Sequence, residues 1–334
     1  MRKLVTRLAM VPLLASIALI PIGPASGQEA SLPATCQRLA FSVEEDFLMT
    51  EGEPADGNPY ISDGDLLSWG NTICARNAEL LNAFDVSVDL GLDAADVITT
   101  TGNAVAFSTE LDSPNPGQFT AGDLLISDGS RVPNTALTAE FGVAYDIGLD
   151  AVHFVGKTVD ILAFLDDWSR DPGDLSSMLL QREIDIWFST EGTWDPVGAV
   201  GFLDGDLLSA RDGAIIAPGK DLLPAVAPAG IPSAGVDFGL DGASGERTDD
   251  PRAVTFSTEI LYQNSFDFTD GDILQYGSTS IVYTNHTLID AFKPAVRFLG
   301  LDALSSGVAD QLSLRVYLPV VLRASRAPTS EVKE

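Results

Sequence analysis

The chain has 334 residues, with 48 acidic side chains against 19 basic ones and a formal net charge of −29. A field of that sign excludes nucleic acid and anionic membrane surfaces as partners, because phosphate contacts need lysine and arginine. The length is enough for one large domain with a proper core.

Residues 1–27 open on Arg2, Lys3 and Arg7, continue as an apolar run broken by Pro12, Pro21 and Pro24, and end at Ala25-Ser26-Gly27. This reads as a secretory signal peptide cleaved after Gly27, not as a membrane span. Its loss removes three basic residues and no acids, so the net charge falls to −32. The expected setting is extracellular or at the cell surface, as a monomer without membrane insertion, with an extracellular protein or a glycan as partner.

Three short signatures then recur in fixed order. Phe-Ser-x-Glu stands at Phe41–Glu44, Phe107–Glu110, Phe188–Glu191 and Phe256–Glu259. Gly-Asp followed by two aliphatics stands at Gly64–Leu67, Gly122–Leu125, Gly205–Leu208 and Gly271–Leu274. Gly-Leu-Asp stands at Gly91–Asp93, Gly148–Asp150, Gly239–Asp241 and Gly300–Asp302. Self-similarity at a period near 60 residues is the mark of a modular array or a propeller. Each signature suits a short strand bounded by turn residues. An aliphatic residue and a Phe four positions on (Leu80/Phe84, Leu137/Phe141, Leu288/Phe292) predict one packed helical turn, which residues 217–234 replace with a Pro/Ala-rich run.

The predicted fold is all-β: a four-repeat, β-propeller-like domain of short antiparallel sheets spanning 28–322. The repeats fall at about 36–93, 94–150, 151–241 and 242–302, with closing strands over 303–322 and a disordered tail over 323–334. One apolar face per unit has to be buried against its neighbours. The last Gly-Leu-Asp strand is expected to close onto the first repeat, removing an exposed edge. The strand 314–322 is one more than closure needs.

Cys36 and Cys74 flank strands of the first repeat, and in an exported chain they are expected to pair. The third repeat holds an additional piece over 156–184. Trp168, Trp187 and Trp194 fall in or beside it, and these three are the candidate ligand-binding residues. Asn285-His286-Thr287 is a glycosylation sequon.

Three carboxylates per repeat lie in register, and two readings fit them. At strand ends they accept backbone N–H bonds and lock turns. Alternatively, the Gly-Leu-Asp aspartates Asp93, Asp150, Asp241 and Asp302 ring an axis, where their mutual repulsion is relieved by a cation. Hard oxygen donors select Ca²⁺ or Mg²⁺ over zinc. No cofactor beyond Ca²⁺ is expected. No Gly-x-Ser-x-Gly elbow, His-Glu-x-x-His motif or phosphate loop occurs, and no carboxylate pair stands out for glycoside cleavage. The sequence thus favours a non-catalytic binding or interaction module over a carbohydrate-binding or carbohydrate-cleaving protein using residues 168–194.

The run Leu-Asp-Ala, Phe-Ser-Thr, Gly-Asp-(Leu/Ile)-Leu resembles repeats of exported proteins from environmental bacteria. The order of aspartate strand, aromatic strand, Gly-Asp strand and helical turn is more loosely similar to the hemopexin-type four-bladed propeller. That resemblance implies cations in a central channel and proteins or ligands bound on the faces. The long third repeat, the extra C-terminal strand and the lack of an end-to-end disulfide depart from it.

Overall fold

Every Phe-Ser-x-Glu segment ends a short strand in the computed structural model, which describes residues 31–196, 201–229, 235–264 and 266–307. The strands are Ala40–Val43, Ala104–Phe107, Asp185–Phe188 and Val254–Ser257. Their phenylalanines Phe41, Phe107, Phe188 and Phe256 are fully buried. Aromatic and β-branched side chains fit a pleated, packed surface, which is why these segments are strands. The expected signal peptide over 1–27, the strand 314–322 and the tail 323–334 lie outside the described residues.

Each of these strands is second in a four-stranded antiparallel sheet. The first sheet runs Leu301–Ser305, Ala40–Val43, Leu66–Ser68, Thr72–Ala75. The second runs Ala95–Thr99, Ala104–Phe107, Leu124–Ile126, Arg131–Val132. The third runs Val152–Val155, Asp185–Phe188, Leu207–Ser209, Ile215–Ala217. The fourth runs Gly242–Gly245, Val254–Ser257, Ile273–Gln275, Ile281–Tyr283. The protein is therefore all-β, with few helices. The leading strand of the first sheet comes from the far end of the described chain, with Ala40 opposite Ser305 and Phe41 opposite Leu304. Leading strands touch one another from sheet to sheet: second with third, third with fourth, fourth with first, and first with second.

The serine of Phe-Ser-x-Glu holds neighbouring sheets together. Ser42 Oγ donates to Leu92 O, Ser108 Oγ to Leu149 O and Ser189 Oγ to Leu240 O, each reaching the Gly-Leu-Asp segment of the next sheet. Ser257, the fourth, is buried with its hydroxyl unpaired. Burying a hydroxyl costs free energy unless it is bonded, so the three clasps satisfy what the packing demands.

The Gly-Asp aspartates are turn locks. Asp65 accepts from Ser62 N and Asn77 N, Asp123 from Thr120 N and Asn134 N, Asp206 from Leu203 N and Gly219 N, and Asp272 from Thr269 N and Asn285 N. Each ties the start of its strand to the helical turn that follows the sheet. Those turns form at Asn77–Leu80, Asn134–Leu137, Gly219–Leu222 and Asn285–Ile289.

The additional piece of the third sheet makes two helices, Thr158–Arg170 and Leu175–Gln181. Ile161, Phe164, Leu165 and Trp168 recur at helical spacing and are buried. They join Phe154, Ile186 and Phe188 in one apolar cluster, so the insertion covers the third sheet. Cys36 and Cys74 are disulfide-bonded, Cα to Cα 5.8 Å, across the first sheet. No helix among the described residues is long and apolar enough to cross a membrane.

Candidate metal centre

The Gly-Leu-Asp signature puts its aspartate at the entrance to each leading strand. Asp93, Asp150 and Asp241 are buried, and Asp302 is partly exposed. The Phe-Ser-x-Glu glutamates stand above them, Glu44, Glu110, Glu191 and Glu259, all exposed. One geometry explains both the glycine and the glutamate. A Cβ at Gly91 would lie 2.5 Å from the Glu110 carboxyl carbon, and one at Gly148 2.5 Å from that of Glu191. Gly239 and Gly300 approach Glu259 and Glu44 in the same way. The missing side chain is the space the carboxyl group occupies.

The four aspartates are raised by burial and by the acids around them. Burial first, then Glu191, Glu110 and Glu259, push Asp93 well above the usual carboxylate range. Burial, then Asp93 and Glu259, do the same to Asp150; burial, then Glu259 and Glu44, to Asp241; burial, then Asp93 and Asp241, to Asp302. Glu44 and Glu259 are each pushed up to about 7, first by the partial burial of their carboxyl ends and then by neighbouring acids. Like charges at close range cannot all ionise without a compensating charge.

Among the described residues no basic group supplies that charge. Asp93 Oδ2, Asp150 Oδ2 and Asp241 Oδ2 are buried and have no hydrogen-bond partner. One oxygen each from Asp93, Asp150 and Glu191 lies within 4.8 Å of the other two. Two oxygens on opposite sides of a Ca²⁺ are about 4.6–5.2 Å apart, and on opposite sides of a Mg²⁺ about 4.0–4.2 Å. A separation of at most 4.8 Å admits either ion. Unpaired, hard, anionic oxygens are the donor set that such a cation takes.

Further along the same leading strands the arrangement is the reverse. Asp96 is buried, and Arg247 donates to it through two bonds of 2.8 Å. Phe154 N donates to Asp96 Oδ2, and Ser305 Oγ lies 3.4 Å from Oδ1. Arg247 also donates to Val97 O and Phe154 O. Burial opposes ionisation, yet Arg247 and His153 hold the Asp96 carboxyl well below the usual range. This ion pair touches the leading strands of the first three sheets, and Arg247 itself follows that of the fourth. Nothing in the sequence links residues 151 positions apart.

The three tryptophans do not share a surface. Trp168 is buried and its Nε1 donates to Arg131 O. Trp187 is buried with Nε1 donating to Asp185. Trp194 alone lines a cavity, between the third and fourth sheets. Asn285 is buried and its amide donates to Leu299 O, so the sequon asparagine is structural and closed to a glycosyl group.

That asparagine belongs to a set the sequence reading passed over. Asn134 Nδ2 donates to Gly122 O and Gly148 O while its Oδ1 accepts from Ile147 N. Asn77 bridges Gly64 O, Gly91 O and Leu90 N in the same way. The third sheet has Gly219 at this position. No known protein family, curated protein or solved structure matches the chain.

Proposed function

We propose that the chain is an exported, acidic four-repeat protein whose four sheets close into a small propeller, with Ca²⁺ bound among the aspartates of its leading strands. In this reading it is a non-catalytic binding module, and the ion fixes the sheets that present its surface to an extracellular protein. The observation that carries the cation is the set of three buried, unpartnered oxygens on Asp93, Asp150 and Asp241. Supporting the closed arrangement are the sheet-to-sheet succession of contacts between leading strands and the pairing of Leu301–Ser305 with Ala40–Val43. The looser similarity to hemopexin-type propellers agrees with both.

The same carboxylate pattern in four places suits holding an ion on a shared axis better than it suits a reaction, which needs one asymmetric constellation. Ca²⁺ would bind through Asp93, Asp150, Asp241 and Asp302, with Glu191 beside the first two. It would supply the positive charge that Arg247 supplies further along. Burial of both tryptophans Trp168 and Trp187 leaves no aromatic platform for a sugar at that insertion.

Isothermal titration of the chelator-treated protein with Ca²⁺ tests the reading. Saturable binding is expected, weakened by at least about tenfold in Asp93→Asn, a loss of roughly 1.4 kcal/mol. Absence of heat and of any calcium retained on ultrafiltration would end it.

A further inference from the structure

The missing asparagine of the third sheet leaves a built but unfilled place. In the first two sheets a buried side-chain amide donates to a glycine carbonyl at the Gly-Asp turn and another at the Gly-Leu-Asp turn, and in the fourth the Asn285 amide donates to Leu299 O. The corresponding carbonyls are Gly205 O and Gly239 O. Among the described residues no side chain donates to either. Gly219, standing where the asparagine would, lies against Gly205, and all three glycines line the same cavity.

That cavity measures about 1010 Å³. This is the upper end of the size range for small-molecule sites. Its walls are apolar, with Phe202, Leu223, Phe238, Leu240 and Phe256 buried around it and Trp194 at one side. The polar groups at the turn are carboxylates. Asp237 Oδ1 accepts from Gly205 N, Asp206 is buried next to it, and Asp195 and Lys220 stand at the rim. Burial and the neighbouring Asp204 push Asp237 up to about 7, which marks a site short of positive charge. Asp204 adds a buried oxygen with no partner. Two open acceptor carbonyls, a carboxylate and a greasy hollow define the complement: several N–H donors and a positive charge on one end of an apolar body.

We propose that this cavity binds an apolar molecule carrying a primary amine. The ammonium takes the place that the asparagine amide holds in the first two sheets, donating to Gly205 O and Gly239 O beside the Asp237 carboxylate. The apolar body lies against Phe238, Leu240 and Phe256. The acidic surface as a whole draws cations toward it. An apolar acid is the wrong ligand, since Asp206 and Asp237 outweigh the single Lys220. This site adjoins the candidate metal centre, since Gly239 and Leu240 immediately precede Asp241, but its ligand groups are its own and it does not depend on the calcium reading.

Three probes of one length test it: hexylamine, hexanamide and hexanoate, titrated calorimetrically into the full chain at pH 8 with calcium in excess. Hexylamine is expected to bind at least about tenfold tighter than hexanamide, with hexanoate weakest. Gly219→Asn restores the bridge and is expected to weaken hexylamine by about tenfold or more. Its Cβ would stand 2.8 Å from Gly205 O, so that turn has to shift slightly. Asp237→Asn, which adds no bulk, is expected to bring hexylamine down to the affinity of hexanamide. Equal affinity for all three probes overturns the proposal, and so does hexanoate binding first. So do failure of hexylamine to bind at millimolar concentration and displacement of the amine by calcium, which would place it among the axial acids.

Discussion

Asp96 and Asp93 stand three positions apart at the start of one strand, and the protein treats their charges in opposite ways. Asp96 has its countercharge built in: Arg247 meets it through two bonds, and the carboxyl is held ionised. Asp93 has only other acids for company and an oxygen with no partner. A buried ion pair is a closed account, stable at any ionic composition. A buried anion cluster is stable only with protons or with an ion from outside. The lesson is that repetition of a residue in a fold does not fix its role; what fixes it is whether the protein itself supplies the opposite charge.

The sharpest way to break this contrast is to remove the built-in cation. Arg247→Met leaves Asp96 buried and uncompensated and is expected to cost about 3–5 kcal/mol in urea unfolding. The double change Asp96→Asn with Arg247→Met is expected to recover most of it. A cost below about 1 kcal/mol for the single change would mean that the pair is not what secures these strands.

Supplying the missing cation comes next. At pH 8, Ca²⁺ at 100 times its dissociation constant is expected to stabilise by about 2.7 kcal/mol relative to chelator. That is roughly 4 °C in melting temperature for a domain of this size. An unchanged melting temperature removes the cation from the comparison. The pH dependence follows from the direction of the shifts. Acids whose folded values lie above their unfolded ones bind more protons in the native state, so stability without metal is highest near pH 4–5 and falls as pH rises. Glu44 and Glu259, pushed up to about 7, place the end of that fall near neutrality, with the aspartates extending it upward. The calcium effect is therefore expected to grow between pH 5 and pH 8, which a melting series at fixed ionic strength measures.

Smaller effects sharpen the geometry. Gly148→Ala places a methyl against Glu191 at a backbone angle of φ +82°, and a cost of about 1–3 kcal/mol is expected. The loss of calcium affinity should accompany it, because the glutamate has to move. Asp241→Asn removes one repelling charge. It is expected to raise metal-free stability at pH 8 by about 1 kcal/mol while reducing the calcium shift. If it lowers both, the aspartate is serving as a hydrogen-bond acceptor and not as an ion ligand.

Much of the fold was legible because the signatures are short, ordered and chemically distinct. Phe-Ser-x-Glu marks a strand whose Phe is core, whose Ser reaches the next sheet and whose Glu stands over a glycine. Of the two roles open to the repeated carboxylates, Asp65, Asp123, Asp206 and Asp272 take the turn-locking one through the bonds they accept. Other features were hidden for physical reasons. Asn77, Asn134 and Asn285 each stand three positions before Leu80, Leu137 and Leu288, so their spacing is regular, but the carbonyls they bond lie on turns that no spacing identifies. The Asp96–Arg247 pair joins distant segments, which periodicity does not detect. The three tryptophans are near in sequence without sharing a face: Trp168 sits on a helix, Trp187 on a strand, and of the three only Trp194 reaches a cavity.

Pairing the leading strand Leu301–Ser305 with Ala40–Val43 also sets the order in which the molecule can be completed. Ala303 N binds Ser42 Oγ across 261 positions. The hydrophobic flank of the earliest-made strand thus waits, unpartnered, until almost all of the described chain has been synthesised. Contacts this remote in sequence close slowly, since the intervening chain has to lose its freedom before they form. A polypeptide arrested before residue 301 would hold three sheets with all their strands and one with a bare edge, and that edge is the surface by which two arrested chains would adhere to each other.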